Sequence, residues 1–163
     1  MLSRPALEAA YLRLEKPLYN YLYRWFWDPE TCRDLIHDAF ERIWRKRERV
    51  DEAGVEALAW TVVINLARNH HRRARLVEWI GLPLGLSGGR GPDAEAELGE
   101  RDRRLRDALE ALPASAREIL LLDIFAGVPR QRLAGMLGIP AGTLASRKHA
   151  AVNRLKELLD DED

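Results

Sequence analysis

The sequence predicts an all-α protein: two small helical domains joined by a flexible linker, the C-terminal one carrying a helix-turn-helix. Three observations predict it. Apolar residues recur at three- and four-residue steps through most of the chain, the period of a helix face. Composition changes sharply over residues 81–99, where GLPLGLSGGRGP is followed by the acidic DAEAELGE, a stretch with little capacity for a core of its own. Residues 128–158 then read as two short helices around a tight turn. The domains fall at residues 1–80 and 101–163, with a linker over residues 81–100.

The first helix is expected over residues 6–27, with Leu7, Tyr11, Leu14, Leu18 and Leu22 on one face. Pro17 is expected to bend or split it. Tyr19, Tyr21, Tyr23, Trp25, Phe26 and Trp27 form an aromatic cluster that suits a core better than a base-stacking platform, because aromatics dominate the area buried in small cores. Asp28-Pro29 breaks the chain, and Asp28 or Thr31 can cap a second helix over residues 29–47. Its apolar stripe is Leu35, Ile36, Ala39, Phe40, Ile43 and Trp44. Asp34, Asp38, Glu41, Arg42 and Arg45 lie opposite, on either a solvated face or a docking face for another protein's helices.

Residues 50–55 read as a polar loop, followed by a third helix over residues 56–76. Its first half is apolar, from Leu58 to Leu66. Its second half carries Arg68, Asn69, His70, His71, Arg72, Arg73 and Arg75. Two readings stay open. A charged helix end suits phosphate contact, with an exposed Trp60 and the amides of Asn65 and Asn69 meeting bases of an opened strand. Alternatively, the arginines merely complement the C-terminal helix dipole. Leu82, Leu84 and Leu86 are expected to add a short packed turn at the start of the linker.

The second domain opens with a helix over residues 101–112, whose stripe is Leu105, Ala108, Leu109 and Leu112. Pro113 stops it. Ser115 and Glu118 have the spacing of a capping box, in which hydroxyl and carboxylate each satisfy an orphan N–H. Ile119, Leu120, Leu122, Ile124 and Phe125 follow as a mainly buried helix that Gly127 ends. Pro129 suits the first turn of the next helix, where its missing N–H costs nothing. Leu133, Ala134 and Leu137 form its stripe, Gly138 is a natural left-handed end, and Ile139 can pack back. Pro140 opens a last helix from Ala141, with Leu144, Val152, Leu155 and Leu158 as buried positions. Its other face holds Thr143, Ser146, Arg147, His149, Asn153 and Arg154. This is a helix-turn-helix pattern with a second helix suited to the major groove, against the alternative of a helical hairpin with a solvated basic face.

Lys+Arg and Asp+Glu both number 26, so net charge says nothing about partners. Distribution does: residues 68–75 and 147–156 are basic, while acids gather at residues 93–100 and 160–163. Cys32 is the only cysteine, which excludes an internal disulfide and a cysteine zinc site and fits a cytoplasmic protein. No apolar run approaches the roughly 20 residues that span a bilayer.

Together these residues resemble a bacterial sigma factor of the extracytoplasmic-function (ECF) group. DLIHDAFERIW and NLARNHHRRAR look like sigma region two; ALEALPASAREILLL and LAGMLGIPAGTLASRKHAAVNRLKELL look like region four. The resemblance implies that the second helix docks on the β′ clamp helices of core RNA polymerase through Asp34, Asp38, Glu41, Arg42 and Arg45. It implies that the residue 50–56 loop and the third helix bind the melted minus-ten element, through Asn65, Arg68, Asn69, Arg72 and Arg73. A base flipped from the stack needs a pocket. The linker would thread toward the RNA exit region. Region four would meet the β flap and read the minus-thirty-five duplex with Thr143, Ser146, Arg147, His149 and Arg154. An anti-sigma factor is the expected inhibitor. The chain departs from the family at Ala145 and Ala150, where recognition helices often carry basic residues, and at Leu58, where a Trp is usual.

The resemblance implies a factor that directs polymerase to promoters and assists melting, with no catalytic residue, cofactor, metal or small-molecule substrate. A two-domain repressor or activator would use the same helix-turn-helix without polymerase, but has no use for the region-two block. An enzyme is disfavoured: His37, His70, His71 and His149 are scattered, and adjacent helical His70 and His71 point apart.

Overall fold

A computed structural model describes residues 1–81 and 98–161, and among these residues every regular element is helical. The chain divides into two compact units, Met1–Arg90 and Gly91–Asp163. The expected turn at Leu82, Leu84 and Leu86, and the last two acids of the tail, lie outside the described residues.

The N-terminal unit packs three helices against one another: α1 (Arg4–Phe26), α2 (Pro29–Arg45) and α3 (Val55–Ile80). Helix α1 starts earlier than residue 6 because Ser3 accepts the Ala6 N–H, at 3.4 Å, and a proline occupies its first turn. Pro17 neither bends nor splits it into separate elements. Leu14, Leu18 and Tyr21 are buried on both sides of it, and that packing outweighs one missing hydrogen bond. Trp27 closes α1 in the left-handed conformation, φ 54°, unusual for a residue with a side chain; its ring is fully buried. Asp28 then caps α2, accepting the Thr31 N–H at 3.2 Å and its hydroxyl at 2.6 Å.

Helix α2 ends at Arg45, short of residue 47, and two 3₁₀ turns (Arg47–Arg49 and Glu52–Gly54) lead to α3. This connection is not the free polar loop expected from composition. Val50 and Val55 are buried at its two ends. The N-terminus straps it: the Leu2 N–H donates to the Arg47 carbonyl at 2.9 Å, and the Ser3 N–H donates to Glu52 Oε1 at 2.9 Å. Leu2 itself is buried. Hydrogen bonds from Ser3, its side chain first and then its backbone N–H, hold the Glu52 carboxyl below its ordinary range.

Four of the six clustered aromatics are core, and Tyr19 and Tyr23 are half-buried. Tyr21, Trp25, Phe26 and Trp27 are buried, and Tyr21 meets Trp60 edge-on at 6.2 Å. The sequence reading of Trp60 as exposed is therefore corrected: only 5% of it is accessible. Trp60, Val63 and Ala67 fall at i, i+3 and i+7, one face of α3, and that face is turned inward.

The C-terminal unit is α4 (Glu100–Glu110), α5 (Ala114–Leu120), α6 (Arg130–Leu137) and α7 (Ala141–Asp160), with α7 packed against the other three. The Ser115–Glu118 capping box does not form. Pro113, extended at ψ 143°, starts α5 with no side-chain cap, which places Ser115 inside the first turn and turns Glu118 into the interior. After Leu120 the helix widens into a π turn, Leu121–Phe125, with the Ala126 N–H donating to the Leu121 carbonyl five residues back. This extra residue per turn changes the helix phase. Ile119 through Leu122 are all buried, whereas Ile124, expected inside, is half exposed.

The turn of the helix-turn-helix is as read, apart from Pro129, which precedes α6 instead of starting it. Gly138 adopts φ 65°, and the Ile139 N–H donates to the Ala134 carbonyl at 3.1 Å, a six-to-one closure that satisfies the end of α6. Leu133, Leu144 and Ala151 are the buried residues of this unit's last two helices, while Val152, Leu155 and Leu158 are only half-buried.

Candidate nucleic-acid interface

Two grooves, one in each unit, take in five of the residues singled out in the sequence: Arg42, Asn65 and Asn69 border one, Arg147 and Arg154 the other. The first, of about 360 Å³, lies between the end of α2, the 3₁₀ connection and α3. Ile43, Val50, Val62 and Leu66 give it an apolar floor and wall. Asn65 and Asn69 supply amides one helical turn apart, and Arg42, Lys46 and Arg49 supply positive charge. Such a mixture suits a flat, polar-edged, anionic ligand. Arg72 Nη2 donates to Asn69 Oδ1 at 2.9 Å, which engages that side-chain oxygen and leaves the Asn69 NH₂ to donate elsewhere. The strapped connection carrying Arg49 and Val50 is thus one wall of the groove, held in place by the N-terminus.

Leu58 also lines this groove, whereas Trp60 is in the core. Two positions on a helix lie about 200° apart, so Trp60 does not substitute for an aromatic at position 58. Asn65, Arg68, Asn69, Arg72 and Arg73 are all exposed along α3. His70 and His71 instead pack inward, His70 edge-on to Phe26 at 4.8 Å and His71 against Trp25 at 4.9 Å. Burial, with Arg73 adding to it, depresses the His70 imidazole below its ordinary value.

The charged face of α2 is already internally paired. Arg42 Nε donates to Asp38 at 2.8 Å, and Arg45 pairs with Glu41, both at i,i+4. Each such exposed pair stabilises a helix by only about 0.2–0.5 kcal/mol, so its effect is mainly to order the side chains. Asp34 is exposed and Asp38 half-buried on the same helix. Arg42, assigned from sequence to this face, also borders the Asn65–Asn69 groove. Lys46 and Arg49 were missed; they lie in the connection, and only the fold brings them beside α3.

On α7, helical spacing sorts the candidates into two stripes. Thr143, Arg147, Ala150 and Arg154 follow one line; Ser146, His149 and Asn153 follow the next. Ser146, Arg147, His149 and Arg154 are exposed, and Thr143 is half-buried. Ser146 donates to the Thr143 carbonyl at 3.1 Å, and Asn153 Nδ2 lies 3.2 Å from His149 Nε2. Arg147 and Arg154 flank a second groove of about 480 Å³, with Leu112, Pro113 and Ser115 on its far side and Ala150 and Ala151 between. The two alanines leave it open. Lys148, by contrast, turns away to pair with Asp123 of the π turn. That pair, with side chains 21% and 11% exposed, locks α7 to α5 and removes one cation from the outer face.

Among the described residues, no helix is long and apolar enough to cross a membrane.

Comparison with known proteins bears on these surfaces. The Sigma-70 region 2 family matches residues 10–77, and the Sigma-70 region 4 family matches residues 102–155. The ECF RNA polymerase sigma factor SigL of Mycobacterium tuberculosis is 29% identical over 88% of this chain and 83% of its own length. The RNA polymerase sigma-E factor of Streptomyces antibioticus is 30% identical over 83% of this chain and 74% of its own. Among solved structures, CnrH in complex with the cytosolic domain of CnrY matches with a TM-score of 0.72 at 22% identity, over 99% of this chain and 92% of that one. The sigma factor RpoE of Bartonella quintana, in complex with the anti-sigma factor NepR, matches at 0.69 and 24%, over 94% and 96%. At these identities the two structures speak for the fold.

Proposed function

The chain belongs to the extracytoplasmic-function RNA polymerase sigma factors, and from that premise we propose how its surfaces divide the work of transcription initiation. It binds core RNA polymerase and directs it to promoters. Residues 1–80 form the polymerase- and minus-ten-binding domain, residues 101–163 the minus-thirty-five-binding domain, and residues 81–100 the tether.

The exposed face of α2 meets the β′ clamp helices. Asp34 and Asp38 offer acceptors, and the Asp38–Arg42 and Glu41–Arg45 pairs present ordered charges of both signs. The C-terminal unit meets the β flap. The groove bordered by Asn65 and Asn69 receives a base of the melted minus-ten element, and Arg68, Arg72 and Arg73 follow the strand's phosphates. The observation that carries this is the groove itself: two amides to read an edge, an apolar floor to cover a face, and Arg42, Lys46 and Arg49 to hold the backbone. Leu58 in place of an aromatic makes that wall aliphatic.

On duplex DNA, α7 enters the major groove. Arg147 is the strongest candidate for a base contact, Thr143, Ser146 and His149 are the shorter-range readers, and Arg154 reaches phosphate. With Ala145 and Ala150 carrying no charge and Lys148 engaged by Asp123, this helix brings fewer cations to DNA, so minus-thirty-five affinity is modest and depends on the held polymerase. The protein is cytoplasmic, performs no bond chemistry, and is restrained by an anti-sigma factor covering its exposed docking faces, as the two structural neighbours are found in complexes.

The test is in-vitro transcription from a random promoter library with core polymerase and purified chain. Promoter-dependent transcripts are expected, lost with Asn69→Ala and altered in the upstream element with Arg147→Ala. Tight binding of the free chain to two-fold symmetric sites, with no transcript, would instead identify a conventional repressor.

A further inference from the structure

Helix α3 does not stop where its basic segment stops. It runs to Ile80 and is closed by Gly81, whose φ of 69° lets its N–H reach the Val77 carbonyl at 3.0 Å. The last turn carries three large apolar side chains that the fold leaves outside: Leu76 is 53% exposed, Trp79 84% and Ile80 50%. Exposed apolar side chains clustered at i, i+3 and i+4 mark an interaction surface more often than chance.

Their place on the helix says what they would meet. At about 100° per residue, Leu76, Trp79 and Ile80 continue the line of Asn65, Asn69 and Arg72 to within roughly 60°. Arg73 and Arg75 flank that line, and the acidic Glu78 falls on the opposite side. The face is therefore an unbroken strip that passes from amides, through cations, to an exposed indole. An apolar patch with arginines at its margins would also suit an acidic protein surface, but here it continues the line of Asn65, Asn69 and Arg72, which favours a polyanion. A polyanion with apolar faces gains from both.

We propose that Trp79 is a stacking platform for single-stranded promoter DNA, flanked by Leu76 and Ile80, that extends the minus-ten contact along the non-template strand. The proposal rests on the reading of the Asn65–Asn69 groove as the minus-ten site. Trp79 lies 14 positions beyond Asn65, about 21 Å along the helix at roughly 1.5 Å per residue. That distance spans about six nucleotides at roughly 3.4 Å per stacked step, and fewer when the strand is extended. The platform therefore takes a base outside the one in the groove. Because every base has a π face, the contact adds affinity and bubble lifetime without adding sequence preference.

The experiment uses holoenzyme assembled from core polymerase and full chain, and a fluorescein-labelled non-template strand from a promoter that this holoenzyme transcribes. Trp79→Ala is expected to weaken strand binding about 5- to 100-fold, the range of one lost base–aromatic stack, and Trp79→Phe to stay within about threefold. Trimming nucleotides beyond the minus-ten element should make wild type and Trp79→Ala converge. Asn69→Ala serves as the reference. If Asn69→Ala weakens binding and Trp79→Ala does not, the platform is refuted and the groove stands. If neither matters, the minus-ten reading of α3 falls as well. If Trp79→Ala lowers only assembly with core polymerase, a protein covers the patch and the proposal is overturned.

Discussion

Replacing Trp60 by alanine separates the two roles this residue could have on α3. Its indole is 5% exposed and meets Tyr21 edge-on at 6.2 Å, among the buried aromatics of α1. Truncating a buried tryptophan costs roughly 3–5 kcal/mol, from lost transfer energy and the cavity left behind. A domain of about 80 residues holds only about 4–12 kcal/mol in total, so this one change consumes a large part of it. At about 4–8 °C per kcal/mol for a domain of this size, the melting temperature should fall by roughly 12–40 °C. Trp60→Phe keeps a ring against Tyr21 and should cost about 1–2 kcal/mol. The assay is thermal unfolding followed by circular dichroism on the full chain. It is paired with non-template-strand binding by holoenzyme at a temperature where the Phe variant is folded. A core residue predicts a large melting shift for Ala, a small one for Phe, and unchanged strand affinity for Phe. The reasoning is refuted if Trp60→Ala melts within about 5 °C of wild type while strand binding collapses.

Arg147→Ala should relax minus-thirty-five selectivity by about 5- to 150-fold at one base pair, the worth of a lost bidentate contact, as read from a transcribed promoter library. Burial holds the His70 imidazole below its ordinary value of 6.5, so the unfolded chain binds more protons as pH falls through that value. The N-terminal unit should therefore be less stable to urea at pH 5.5 than at pH 7.5, and His70→Gln should reduce the difference. The Cys32 thiol is buried and pushed up to about 12, so it stays protonated at neutral pH. Iodoacetamide should label it slowly in the native chain and quickly in urea, and equal rates would show that α2 opens readily.

What was legible in the sequence was what local chemistry decides. The cap of α2, which falls to Asp28 of the two candidates, the Gly138–Pro140 turn and the inward stripe of α2, apart from a half-buried Trp44, depend on residues a few positions apart and form as read. Trp60 was misplaced although its spacing with Val63 and Ala67 gives an inward phase; a stretch rich in apolar residues hides which ones face in. The Ser115–Glu118 box lost to Pro113, whose fixed φ starts the helix before Ser115 can cap it. Ile124 was misjudged because a π turn breaks the very periodicity used to place it. The first groove was only half visible. Asn65 and Asn69 share a helix, but Lys46, Arg49 and Val50 reach them through a connection whose course is set by Leu2 and Ser3, about fifty residues earlier.

The π turn at Leu121–Phe125 has a consequence for how this unit can change over evolutionary time. It amounts to one surplus residue spliced into α5. Deleting a single position there would restore ordinary winding and rotate whatever follows by about 100°. The Lys148–Asp123 pair, which joins α7 to that segment, would have to break or carry α7 with it. On the proposed reading of α7, a lone codon gained or lost at this point would change how the duplex-reading helix is presented without altering its own sequence.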